Sequence, residues 1–293
     1  MIRVGITLPA RDLTAVENIL YEIAPSNWVI TMDKETRVLT LSGLYLSKGD
    51  SLRGISNLKE YYDGFLSDFR IEEIDNQSWE NSYRQHFKPW NYKNYKFIPL
   101  WDKDKIKANN KETPIYIDPG MAFGTGEHET TRLCIEFLID KFELPELTRD
   151  SFLDVGCGSG ILSILAKSLG FKNVLGIDHD ENAISNSIIN TNLNLEKNSV
   201  IFKKTKINLL EKNTYKCIVA NIQSDVLISN AKTLITMLEH SAYLIISGIL
   251  NYESEDVIKV YNQCLNTTDY TFKHELKQKG EWSTVCYSMT KNL

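Results

Sequence analysis

The run Asp154-Val155-Gly156-Cys157-Gly158-Ser159-Gly160 constrains this chain most. Three glycines at alternate positions lie between an apolar run, Phe152 to Val155, and a stretch in which Ile161, Leu162, Ile164, Leu165 and Leu169 share roughly one helical face. Strand, tight turn and helix in that order open an α/β unit of the nucleotide-binding kind, with its ligand crevice at the carboxyl ends of the strands.

The glycines read G-x-G-x-G, whereas the dinucleotide fingerprint reads G-x-G-x-x-G and seats a pyrophosphate on the helix N-terminus. A ligand without phosphate suits this departure. Gly156 and Gly158 lack Cβ and let a sugar and an amino-acid moiety come close to the backbone, as S-adenosylmethionine would require. A second predicted strand, Val174 to Asp178, ends in an acid 22 positions after Gly156, the placement expected of a carboxylate that accepts from both ribose hydroxyls. Asp178 is therefore the expected ribose ligand. A third predicted strand, Cys217 to Ile222, places Asn221 at its carboxyl end, facing the transferred methyl. Taken singly, Asp178 reads equally as a helix cap and Asn221 as a turn former, and it is their order along the chain that favours a site.

The rest of the composition bounds the problem. The 293 residues are 42% hydrophobic and 24% charged, enough for two domains with a sizeable core. No apolar run approaches the ~18 residues that span a bilayer, and Met1-Ile2-Arg3-Val4 leads into polar sequence, so a cytoplasmic protein without membrane contact is expected. Cys134, Cys157, Cys217, Cys264 and Cys286 form no C-x-x-C pair, which predicts reduced thiols and no metal site. With a net charge of −5 and no Lys/Arg stripe interleaved with aromatics, direct nucleic-acid binding is not expected, while a basic protein substrate is compatible.

Along the chain, residues 1–74 read β-α-β-β-α-β, a small α+β ferredoxin-like domain. It carries no glycine loop and no cluster of titratable residues, so it is expected to recognise the substrate. Residues 75–95 read as a linker helix and hinge: Trp79, Tyr83 and Phe87 recur every four residues, and Pro89 stops the helix. From 96 to 293 strands and helices alternate, which predicts a mostly parallel sheet with a final antiparallel hairpin, Tyr270 to Leu276 and Ser283 to Met289. A single helix is expected from Asp225 to Leu238, and Asn91 to Lys111 is left unassigned.

Just upstream of the glycine turn stands Asp118-Pro119-Gly120-Met121-Ala122-Phe123-Gly124-Thr125-Gly126-Glu127-His128-Glu129-Thr130-Thr131. Together with Trp79-Glu80 to Pro89, Asp154 to Leu162, Asn221-Ile222, Ser247-Gly248-Ile249-Leu250 and Glu281-Trp282, it makes the chain resemble, nearly end to end, the PrmA family of ribosomal protein methyltransferases. The resemblance implies a seven-stranded, Rossmann-like class I methyltransferase sheet behind a substrate-binding domain. It implies an enzyme that uses S-adenosylmethionine to methylate the N-terminal α-amine and lysine ε-amines of the large-subunit ribosomal protein L11, free or on the subunit. A related protein-lysine methyltransferase with another protein substrate is the alternative. Position by position, the family's cofactor contacts fall on Thr131, Gly156, Asp178 and Asn221, and the glycine turn adds Gly158. A monomer is expected.

The chemistry expected of such a site is an in-line displacement by a neutral amine. Phe123 and the loop from Gly124 to His128 are expected to exclude water over the methyl group, and Asn221 to orient the amine lone pair. His128, Glu127 and Glu129 are candidate proton acceptors that read equally as helix-start residues. The sequence Asn221-Ile222-Gln223-Ser224 lacks the prolines and aromatic of the turn with which methyltransferases of adenine or amide nitrogens hold a planar nitrogen, which points to an sp³ amine.

Overall fold

A computed structural model describes residues 2–23, 28–33, 36–45, 47–61, 69–73, 88–118, 126–143, 148–211 and 213–291. The helix expected around Trp79 to Phe87, and Phe123 with the glycines at 120 and 124, lie outside the described residues. The chain divides into two units, Met1–Lys88 and Pro89–Leu293.

The first unit contains β1 (Ile2–Pro9), α1 (Leu13–Ile23), β2 (Trp28–Met32), β3 (Val38–Tyr45), α2 (Lys48–Lys59) and β4 (Arg70–Glu73). The sheet order is β2-β3-β1-β4, antiparallel at every pair. Val4, Ile6 and Leu8 alternate onto the face that packs with Leu39, Leu41, Val16 and Leu58, the period-two pattern of a half-covered sheet. Helix α2 starts at Lys48, because the Ser47 hydroxyl accepts from the Asp50 amide at 3.1 Å and caps it there.

The second unit opens with β5 (Trp90–Tyr92), β6 (Tyr95–Pro99) and β7 (Thr113–Ile117), a small sheet in the order β5-β6-β7. Its first strand falls in the segment read from sequence as linker. Next come α3 (Glu129–Phe142), β8 (Ser151–Val155), α4 (Ile161–Ser168), β9 (Asn173–Asp178), α5 (Glu181–Asn194), β10 (Ile201–Lys204), β11 (Tyr215–Asn221), α6 (Ser224–Ser229), α7 (Ala231–Thr236), β12 (Leu238–Leu250), α8 (Ser254–Leu265), β13 (Tyr270–Lys279) and β14 (Trp282–Lys291). The single helix expected from Asp225 to Leu238 is two short ones. They meet at Asn230, whose side-chain amide donates to the Val226 carbonyl at 2.9 Å, and Leu238 already belongs to β12.

Seven strands form the large sheet in the order β10-β9-β8-β11-β12-β14-β13, parallel except for the final hairpin. Both faces are covered. Phe152, Cys217 and Val219 pack under α3 and α4, while Leu153, Val155, Ile218 and Ala220 pack under α6, α7 and α8. Burial on both sides explains why these strands read as continuous apolar runs.

Candidate active site

The chain order along the sheet sets the location. From β8 it winds outward through β9 and β10, then returns to β11 on the other side of β8 and winds outward again. The carboxyl ends of β8 and β11 therefore flank a topological switch point, where the crossover connections diverge and leave a crevice. The glycine turn follows β8, and Asn221 ends β11.

The turn is held against β9. Gly156 and Cys157 both donate their amides to the Ile177 carbonyl, at 2.9 and 3.0 Å. Gly156 has φ +71° and Gly160 φ +80°, a region that side chains strain to occupy. A Cβ on Gly156 would lie 2.5 Å from the Ile222 methyl, and one on Gly160 would lie 2.9 Å from the Ser187 Cβ. The Gly158 amide donates to Asp178 Oδ2 at 3.0 Å, and the Asp180 amide to Oδ1 at 3.0 Å. Each carboxylate oxygen keeps accepting capacity beyond these bonds. Asp178 is thus both anchored by the turn and competent to take two hydroxyls.

Across the crevice, Asn221 Nδ2 donates to Thr131 Oγ1 at 3.3 Å, bringing together two residues 90 positions apart. Thr131 is fully buried in the first turn of α3. His128 is the N-cap of the same helix. Its Nδ1 accepts from the Thr130 amide at 3.4 Å and lies 2.8 Å from the Thr130 hydroxyl, and its ring meets Trp282 edge-on with centroids 4.9 Å apart. Burial pushes the His128 pKa down, with Glu129 partly opposing, so the ring is neutral at neutral pH.

Several neighbours to which sequence reading gave no role lie around or beneath these residues. Asp154 is 1% exposed and takes the Ser163 hydroxyl on Oδ2 at 2.7 Å, while its Oδ1 is buried with no hydrogen-bond partner. Burial, offset in part by Ser163 and reinforced by the nearby Asp178 charge, pushes its pKa up to about 7. Its place before the first glycine was the only available sign. Arg132 donates from Nε to the Gly126 carbonyl at 3.0 Å and lays its guanidinium over the Trp90 ring at 4.7 Å. Burial also raises the Cys157 thiol well above its ordinary value, so this residue packs as a small hydrophobe.

These residues fit a sulfonium nucleoside. Glycines stand where any side chain would collide, an anchored carboxylate ends the second strand of the series, and an amide meets a hydroxyl at the switch point. Fold and site together define a class I S-adenosylmethionine-dependent methyltransferase.

The sequence profile described as Ribosomal protein L11 methyltransferase (PrmA) matches residues 4–290. Proteins named ribosomal protein L11 methyltransferase are 30% identical in Thermoanaerobacter pseudethanolicus, over 97% of each chain, and 31% identical in Caldicellulosiruptor bescii, over 94% of each. The crystal structure of the ribosomal protein L11 methylase from Lactobacillus delbrueckii subsp. bulgaricus is 26% identical and superimposes with a TM-score of 0.59, covering 70% of this chain and all of that one. The chain belongs to the ribosomal protein L11 methyltransferase (PrmA) family.

Proposed function

We propose that this chain transfers methyl groups from S-adenosylmethionine to the N-terminal α-amine and to lysine ε-amines of ribosomal protein L11, free or on the large subunit. The observation that carries the reading is the switch-point crevice, in which the Gly158 amide, the Asp178 carboxylate and the Thr131–Asn221 pair converge. Asp178 takes the ribose hydroxyls, and Gly156 and Gly158 let the amino-acid moiety approach the backbone. Thr131 and Asn221 line the methyl end. The ferredoxin-like domain of residues 1–74 recognises the protein substrate, the enzyme acts as a monomer, and no nucleic acid is bound directly.

Bound cofactor supplies an electrophilic methyl on a sulfonium. The remaining demand is a neutral nucleophile. At pH 7 the neutral form of a lysine with pKa ~10.4 costs roughly 4 to 5 kcal/mol, against about 1 kcal/mol for an α-amine. A water-poor rim lowers that cost, since burial disfavours the ammonium form. Phe123 and the backbone around it contribute to this exclusion. Asn221, its Nδ2 tied to Thr131, presents the amide oxygen to an amine hydrogen and so aims the lone pair at the methyl. His128 serves as the cap of α3, and a proton-acceptor role for it is secondary, because Nδ1 already faces the Thr130 amide and hydroxyl.

The test is mass spectrometry of purified large-subunit proteins after incubation with the enzyme and an isotopically labelled donor. Label on the α-amine and lysines of L11 is the expected result. Label on another protein, with L11 unmodified, would overturn the substrate assignment.

A further inference from the structure

Helix α5 carries Asn182, Asn186, Asn190 and Asn194 at four-residue intervals, which puts all four on one face. Asn is a poor helix former, and a row of four costs helix stability that tertiary bonds have to offset. Two of the four make such bonds in the same way. Asn194 accepts from the Tyr116 amide at 2.7 Å and donates to the Tyr116 carbonyl at 2.6 Å. Asn190 accepts from the Asp118 amide at 2.7 Å and donates to the Asp118 carbonyl at 3.0 Å. Strand β7 is the edge of its small sheet, and Tyr116 and Asp118, two residues apart, direct their peptide groups to the same side. The two carboxamides thus give this edge the bonds that a neighbouring strand would give.

Asn190 differs from Asn194 in one respect. Its Nδ2 also donates to the Ser159 carbonyl, inside the glycine turn, at 2.9 Å, and approaches Asn186 Oδ1 at 3.0 Å. The side chain is fully buried. Its carboxamide therefore touches the residue that follows β7 and the turn after β8 simultaneously. Ser187, one turn earlier, abuts the same turn: a Cβ on Gly160 would lie 2.9 Å from its Cβ.

We propose that Asn190 is a positioning residue of the cofactor site. It fixes the distance between the glycine turn and the point at which the chain leaves β7, and so holds the turn's amides in register for the ligand. The proposal rests on the reading that this rim binds S-adenosylmethionine. Asn194, which bonds to β7 and to the Asn190 carbonyl of its own helix and makes no recorded bond to the glycine turn, supplies the built-in comparison.

Calorimetric titration of the full-length chain with S-adenosylhomocysteine, with a melting temperature recorded for each variant, tests this. Asn190→Ala removes all the bonds. Asn190→Asp keeps the acceptor for the Asp118 amide but sets a carboxylate against the carbonyls of Asp118 and Ser159. Both should weaken binding by about tenfold or more, while Asn194→Ala, with a comparable drop in melting temperature, stays within about twofold. The proposal is overturned if the Asn190 variants bind like the unchanged chain, or are weakened no more than Asn194→Ala. It is equally overturned if both fail to fold while Asn194→Ala folds, because the role would then be purely structural. Failure of the unchanged chain to bind would remove the cofactor reading itself, a result distinct from all of these.

Discussion

Asp154 shows how one side chain can report on the site. Its carboxyl sits in the core with one oxygen on Ser163 and the other unpartnered, and its pKa is pushed up to about 7. In an unfolded chain the same group titrates near ~3.9. The folded state therefore holds its proton across the window between these values. The stability that Asp154 contributes is complete below about pH 4 and is lost as pH rises through 7. Asp154→Asn should accordingly stabilise the protein more at pH 8 than at pH 5, measured as the shift in urea midpoint. An equal shift at both values would show that the carboxyl is ionised throughout. Asp178 makes a different kind of prediction, because in the proposed function its carboxylate accepts from the ribose hydroxyls. Asp178→Asn should weaken S-adenosylhomocysteine by about one to two orders of magnitude, since hydrogen bonds to charged groups contribute about 1.5 to 3 kcal/mol each. His128→Ala should cost about 1 kcal/mol of stability through loss of the α3 cap and leave kcat within a few-fold. A large fall in kcat that follows the histidine titration would instead make His128 the base.

Among the elements, the junction of β11 and β12 leaves little room for change. The Ile222 amide donates to the Ser247 carbonyl at 3.1 Å, and β12 shifts register between Ser247 and Ile249. Gly248 makes that possible with φ +86°, and a Cβ there would stand 2.3 Å from the Ile222 carbonyl oxygen, a backbone atom that cannot swing aside. Gly248→Ala should cost about 2 to 4 kcal/mol, from left-handed strain plus overpacking, and should lower kcat by displacing Asn221 next door. Thermal melts and steady-state rates would check both. A variant with unchanged stability would mean that the turn yields freely. Legibility at this scale followed burial. The strands of the large sheet were readable because both faces are covered, so β8 and β11 stand out as apolar runs. Strands β5, β6 and β7 were not, because they are three to five residues long and broken by Lys93, Asn94 and a polar connection. The break at Asn230 was hidden for a related reason: a side-chain bond to Val226 ends α6 where the apolar pattern runs on.

For the molecule as a whole, the glycine turn, the acid and the asparagine could be placed from sequence along one rim, because a parallel α/β sheet sends every strand's carboxyl end there. Residues that act by bracing others left weaker marks. Asn190 reaches Asp118 and Ser159 from 72 and 31 positions away, and nothing local to α5 announces those partners. The reaction gives a further expectation at this scale. If water exclusion supplies the neutral amine, kcat/KM for lysine should climb about tenfold per pH unit between pH 6 and 8, since free lysine titrates near ~10.4. His128→Ala should leave that slope intact. The most direct measurement is a crystal structure of the full-length chain with S-adenosylhomocysteine. The predicted result is a nucleoside at the switch point, with both ribose hydroxyls on Asp178 and the thioether end beside Thr131 and Asn221. A nucleoside bound elsewhere, or a ribose that leaves the Asp178 carboxylate unengaged, would contradict it.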